Sequence, residues 1–322
     1  MSDNALLFPG QGAQAPGMGR DLAQHYQAAR ATFQAANEAL DMELDRLCFE
    51  GPAEELSCSD VAQPAILTMS VAALRALAEA LGRPPAAAAA AGLSLGEYTA
   101  LVAAGAIDFA DAVRLVRNRG LYMQQASEAN PAVMYSVIGL EDGAVEEACD
   151  RTREATGGRV WPANYNSPGQ VVISGEEDAA ATASTMCTEA GARKTIQLKV
   201  SGAFHTPLMQ SAAEKLAPLL AALEIRPPAC PVVANVTGLP AGEPEQIRRL
   251  LLEQVTSPVR WAAGMRWLLA QGICEFLEIG PGRVLRGLLR RIDPSAGCRS
   301  IGTVQDIGAS VQAAGDMERK AE

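Results

Sequence analysis

The chain has 322 residues, 48% hydrophobic and 20% charged, enough for one large or two modest domains around a substantial core. Its net charge of −10, from 27 basic and 37 acidic residues, argues against a nucleic-acid-binding surface. Seven cysteines with no Cys-x-x-Cys pair argue against a disulfide framework or a zinc site, and no metal is expected. Ala86 to Ala91, the longest Ala-rich stretch, is too short to cross a bilayer, and Met1-Ser2-Asp3-Asn4 lacks a basic n-region. A cytoplasmic protein without a membrane span is the expectation.

In chain order, Ala5 to Phe8 predicts a short apolar strand that breaks into Pro9-Gly10-Gln11-Gly12-Ala13-Gln14, a loop able to present backbone N–H groups to a ligand. Gly10, Gly12 and Ala15 also fit a dinucleotide-binding spacing. The segment from Asp21 to about Leu40 reads as helix, however, with no second strand ending in an acidic residue, which argues against a nicotinamide site. Ala86 to Ala91 then leads into Gly92-Leu93-Ser94-Leu95-Gly96, a serine flanked by glycines that reads as a nucleophile elbow. Small neighbours relieve crowding at such a strained turn, and the following helix N-terminus offers N–H groups to a developing oxyanion. An ordinary tight turn fits the same five residues.

A helix from Asp108 to Gln125 follows, and residues 130–200 read as βαββαβ. The strands are Val133 to Gly139, Val160 to Tyr165, Gln170 to Ser174 and Thr195 to Val200, with helices at Gly143 to Ala155 and Asp178 to Ala190, a ferredoxin-like order. Helix Leu208 to Leu223, strand Val232 to Asn235, helix Glu245 to Val255 and strand Glu275 to Ile279 complete the pattern. The predicted organisation is α/β. An α/β-hydrolase-like core spans residues 1–128 and 201–310, with a ferredoxin-like subdomain inserted at 129–200 and a flexible tail at 311–322.

A serine nucleophile needs a base, and the chain has two histidines. His25 lies in an amphipathic helical stretch and reads as a solvated helix face. His205 ends the apolar run Gly202-Ala203-Phe204 and precedes Thr206-Pro207, a strand-to-loop position suited to a catalytic side chain. A core histidine is the bland alternative. Paired with Ser94, His205 is the better base.

Phe8-Pro9-Gly10-Gln11-Gly12-Ala13-Gln14, Gly51-Pro52-Ala53-Glu54-Glu55-Leu56, Gln63-Pro64-Ala65, Ser94-Leu95-Gly96-Glu97-Tyr98, Asn166-Ser167-Pro168-Gly169-Gln170, Gly202-Ala203-Phe204-His205 and Glu278-Ile279-Gly280-Pro281-Gly282 occur in family order. On these motifs the chain resembles the malonyl-CoA:acyl carrier protein transacylases along nearly its whole length. The resemblance implies that Ser94 takes the acyl group and His205 is its general base. It implies an oxyanion hole from the N–H groups of Gln11 and Leu95, and a Gln254 main-chain carbonyl that orients His205. Arg119 would hold the malonyl carboxylate through its planar fork, where a solvated helix charge is the bland alternative. Phe204 matches the malonyl-selective relatives, and Asn164 or Asn166 would come from the rim of the insertion.

Two positions depart from the family pattern. Leu93 stands where a histidine is usual before the nucleophile, which puts acyl preference and acyl-enzyme lifetime in question, and Tyr135 stands where a small residue is more frequent, which would alter the pocket edge. Malonyl-CoA and CoA, holo-acyl carrier protein, a monomeric state and no tightly bound cofactor are the implied partners. Arg286, Arg290 and Arg291, with Arg283, form a basic stripe that could dock the acidic carrier, and Arg193, Lys194 and Lys199 form a second cluster. An acyl-thioester hydrolase on the same fold, or a catalytically silent docking protein of a synthase, are the alternatives.

Overall fold

The computed structural model describes residues 4–198 and 202–321, with side chains described up to residue 315. Among the described residues ten strands form two sheets: β1 (Asn4–Phe8), β2 (Ala89–Gly92), β3 (Val133–Ile138), β4 (Val160–Ser167), β5 (Gln170–Gly175), β6 (Lys194–Gln197), β7 (Val232–Val233), β8 (Pro240–Ala241), β9 (Glu275–Ile279) and β10 (Gly297–Ile301). The large sheet has the order β10-β9-β1-β2-β7-β8, parallel except where β8 turns back along β7.

Strands buried on both faces need apolar residues at successive positions, and β1 and β2 have them. Leu6, Phe8 and Ala90 face one cluster, under helices Ser59–Leu81, Leu95–Ala103, Phe109–Ala129 and Gln210–Ala222. Ala5, Leu7, Ala89 and Ala91 face the other, under Trp261–Ala270 and Val284–Ile292. Such a core places the C-terminal ends of β1, β2 and β7 side by side, where an open α/β sheet carries its ligand crevice.

The second sheet is antiparallel in the order β4-β5-β3-β6, with helices Asp142–Thr156 and Glu177–Glu189 on one face, as the ferredoxin-like reading expects. Val137, Val160, Val171 and Ile173 pack against those helices. On the opposite face Met134, Ala163 and Val172 meet Phe204 of the large core. The small sheet is also stitched to the large domain by backbone. Tyr165 N donates to Val259 O at 2.8 Å and Val259 N to Ala163 O at 2.9 Å, a parallel bridge at Asn164 between bulges in β4.

Residues 311–321, expected as a flexible tail, lie within helix Val304–Ala321, which buried Ile307 and half-buried Val311 anchor against the core. Two other expectations need correction. The strand expected to reach Val200 ends at Gln197, although Leu198 N still pairs with Met134 O at 2.8 Å, and Lys199 and Val200 lie outside the described residues. His205 follows a bend and turn rather than a strand. β10 escapes sequence reading because Gly297-Cys298-Arg299-Ser300 shows no alternation and is only half-buried. Helix Ser59–Leu81 is long and apolar enough to cross a membrane, yet 83% of its apolar window is buried inside the protein, where it serves as a core helix.

Candidate active site

Ser94 occupies the turn between β2 and helix Leu95–Ala103 with φ +52°, a left-handed conformation that a non-glycine residue holds only when its surroundings enforce it. The flanking glycines show why the motif is needed. A Cβ on Gly92 would fall 2.0 Å from the Gly96 carbonyl carbon and oxygen, and one on Gly96 would fall 2.1 Å from Phe8 O. Asn235 clamps the turn from β7's side: its Oδ1 accepts Ser94 N–H at 2.6 Å and its Nδ2 donates to Gly92 O at 2.7 Å.

His205, also at positive φ (+61°), brings Nε2 to 2.7 Å from Ser94 Oγ. Its Nδ1 lies 2.8 Å from the Gln254 main-chain oxygen. A carbonyl can only accept, so Nδ1 carries the proton and Nε2 presents its lone pair to the serine. Burial first, then the Arg119 charge, push the imidazole down to about 4, which leaves it neutral and basic at pH 7.

Arg119 is 1% exposed, so the solvated alternative fails. Its Nη1 donates to Gln63 Oε1 at 2.7 Å, and its Nη2 donates to Gln254 Oε1 at 2.9 Å and to Ser94 Oγ at 3.1 Å. The guanidinium lies 5.4 Å over the Tyr98 ring, and its buried Nε has no partner within the protein. Burial lowers its pKa, with Tyr98 and Glu97 opposing. A cation with a spare buried donor beside the nucleophile suits an incoming carboxylate.

Glu97, 3% exposed, accepts from Gln254 Nε2 at 2.6 Å and from Asn235 N at 3.0 Å through one oxygen. Burial lifts its carboxyl to about 7 against the pull of these hydrogen bonds and of Arg119. Gln254 Nε2 donates as well to Ser94 O at 3.0 Å, so this one residue reaches Ser94, Glu97, Arg119 and His205. Sequence reasoning missed Asn235, Gln63 and Glu97 as site residues, and it read Gln254 only for its carbonyl. The available signal for Asn235 was its place at the end of the predicted strand Val232 to Asn235, beside the elbow.

Leu95 opens its helix, so its N–H is one of the N-terminal amides with no acceptor inside the helix. Gln11 sits in the loop after β1, its side chain donating to Ser59 Oγ at 3.0 Å. Gln11, Ser59, Gln124, Ser127 and Phe204 line a cleft of about 700 Å³ between the core and the small sheet. Asn164 lies at the stitch to Val259, and Asn166 carries a buried Oδ1 with no partner in the protein. Leu93 packs, half-buried, on the cluster around Leu7 and Trp261. Tyr135 does not reach the pocket edge as expected, because strand alternation turns it toward the helix-covered face of the small sheet.

Arg286 and Arg290 are exposed on Val284–Ile292, Arg283 pairs with Asp306 at 3.6 Å, and Arg291 reaches Gln170 of the small sheet at 2.5 Å. His25 is exposed at the end of its helix, remote from Ser94 in role and bonded to Asp21 O at 2.9 Å. Among the described residues no cluster of His, Cys, Asp or Glu could hold a metal ion.

A half-buried serine and a buried, neutral histidine on an α/β sheet, with helix N–H groups adjoining, form an arrangement competent for acyl transfer through a serine ester. The comparisons agree. The acyl transferase domain profile matches residues 5–319. The malonyl CoA-acyl carrier protein transacylase of Bacillus subtilis is 42% identical across 97% of both chains. An acyl carrier protein S-malonyltransferase structure from Vibrio cholerae superposes with a TM-score of 0.92 at 44% identity, covering 96% of this chain and 100% of that one. A malonyl-transacylase solved in complex with its type II polyketide acyl-carrier protein gives 0.93 at 41%, covering 97% and 100%. The chain belongs to the acyl transferase domain family, among its malonyl CoA-acyl carrier protein transacylases.

Proposed function

We propose that this protein moves a malonyl group from malonyl-CoA, through an ester on Ser94, to the phosphopantetheine thiol of a holo-acyl carrier protein, in fatty acid or polyketide synthesis. The observation that carries this reading is the double contact at Ser94 Oγ, 2.7 Å from a neutral His205 Nε2 and 3.1 Å from Arg119 Nη2. The first makes the hydroxyl a nucleophile, and the second places a fixed positive charge where an acyl group bearing a carboxylate would lie.

In the forward half-reaction Ser94 Oγ attacks the thioester carbonyl while His205 Nε2 takes its proton. The oxyanion is received by the N–H groups of Leu95 and Gln11, the C–S bond breaks, and the imidazolium returns the proton to the departing CoA sulfur. In the second half His205 takes the proton of the pantetheine thiol, which attacks the ester, and Ser94 recovers its proton. The Gln254 carbonyl stabilises the transient imidazolium without a carboxylate. Acyl transfer between thioester and ester is balanced with no redox step, so no resident cofactor is called for.

Phe204, at the cleft wall, would crowd an α-methyl and favour malonyl over branched analogues by about 1–3 kcal/mol. The exposed Arg286 and Arg290, flanked by the 51% exposed Val284, offer an acidic carrier a basic rim with an apolar contact. Ser94, His205, Gln254 and Arg119 all come from one chain, which suits a monomer, and seven free thiols suit the cytoplasm.

Intact-mass spectrometry with malonyl-CoA, then holo-acyl carrier protein, tests the reading. The expected result is a malonyl adduct that requires Ser94 and passes to the carrier. An adduct that goes to water, or acetyl-CoA loading as readily as malonyl-CoA, would favour a hydrolase.

A further inference from the structure

We propose that Glu97 is a positioning residue for acyl selection: its carboxylate oxygen fixes the side-chain amide of Gln254, which in turn holds Arg119 facing the acyl group. The inference rests on the transferase reading above and adds a residue whose side chain touches neither substrate nor Ser94.

The geometry is directional. An amide presents an acceptor at one end and donors at the other, and the wrong end toward Arg119 would set N–H against N–H. Gln254 Nε2 is anchored by two acceptors, Glu97 Oε2 at 2.6 Å and Ser94 O at 3.0 Å, and this leaves Oε1 to accept from Arg119 Nη2 at 2.9 Å. Glu97 is itself held, because the same Oε2 accepts Asn235 N–H at 3.0 Å. The chain therefore runs from the residue that clamps the Ser94 turn, through Glu97 and Gln254, to the guanidinium.

Glu97 needs reach rather than charge for this role. Its oxygen accepts whether or not the carboxyl is ionised, and burial already lifts that carboxyl to about 7. A glutamine at 97 can set its amide oxygen at the same place. An aspartate keeps the charge but withdraws the acceptor by one methylene, and the Gln254 amide loses its nearest anchor.

Malonyl-CoA and acetyl-CoA loading would be measured on wild type, E97Q and E97D, with thermal unfolding of each. Acetyl does not use the Arg119 clamp, so the malonyl-to-acetyl ratio isolates positioning from general loss of fold. The expected result is a fall of about tenfold or more in that ratio for E97D and retention within about threefold for E97Q. Equal ratios in all three proteins, or loss in E97Q with retention in E97D, would overturn the proposal. Where E97D does not fold, hydrogen exchange of the Gln254 side-chain amide decides. Slow exchange in wild type and E97Q is expected, and a freely exchanging amide in wild type refutes the anchor. A wild type without malonyl preference would instead refute the transferase reading itself.

Discussion

Arg119→Met removes the guanidinium while filling most of its volume. An arginine has five N–H donors, of which three are committed here: one to Gln63, one to Gln254 and one to Ser94 Oγ. The Ser94 contact is surrendered as that oxygen becomes an ester, and the buried Nε has no partner to lose. Donors are thus available for two charge-assisted hydrogen bonds to a malonyl carboxylate, each worth ~1.5–3 kcal/mol. At the low end the pair contributes about 3 kcal/mol, which converts to roughly a 150-fold loss of malonyl kcat/KM. Acetyl-CoA moves the other way or stays level, because in the wild type it leaves a buried cation unpaired. Quenched-flow loading followed by mass spectrometry gives both constants, and the expected ratio change is about two orders of magnitude. An unchanged ratio in a folded Arg119→Met protein would refute the clamp.

His205 is held neutral down to about pH 4, so acyl loading should keep its rate well below pH 6 and fall as pH drops through about 4; a profile breaking near the ordinary 6.5 contradicts the burial argument. The same shift means that the unfolded chain binds the proton first, so His205 makes the fold less stable as pH falls from 6.5 toward about 4, visible in urea melts across that window. Asn235→Ala strands the Ser94 N–H and the Gly92 carbonyl and should cost about 1–3 kcal/mol in denaturant unfolding as well as slowing loading. Gly96→Ala would drive a Cβ to 2.1 Å from Phe8 O, and loss of soluble folded protein is expected by circular dichroism. Arg286→Glu with Arg290→Glu should raise KM for the carrier and weaken the rise of that KM with salt, while malonyl-CoA loading is unchanged; an equal effect on both half-reactions would remove the docking role.

How much of this was legible in the sequence depends on how far each signal travels along the chain. The elbow was readable because its requirement is local: two glycines within two residues of Ser94. The ferredoxin-like insertion was readable because each strand and helix carries its own periodicity, which the final pairing then respects. The polar scaffold was not, since Gln63, Glu97, Asn235 and the Gln254 side chain are ordinary amides and a carboxylate until folding joins positions 56 to 160 residues apart. Tyr135 was misread for a related reason: a family position suggests a neighbourhood, but strand alternation decides which way a side chain points. The C-terminal helix was missed because its anchor is sparse, with Ile307 the one fully covered apolar side chain among its described residues.

The stitch between Val259 and β4 lies a short way along the backbone from Gln254, whose carbonyl steers the imidazole. The next residue, Arg260, donates its N–H to the carbonyl of Asn235, which clamps the serine turn, and its guanidinium stacks over Tyr165 of the small sheet at 5.4 Å. Anchorage of the smaller lobe and alignment of both reacting side chains are therefore written into one stretch of backbone. A tilt of that lobe would have to strain the same stretch that holds the serine clamp and the histidine, so widening the cleft and misaligning the two side chains share one set of contacts.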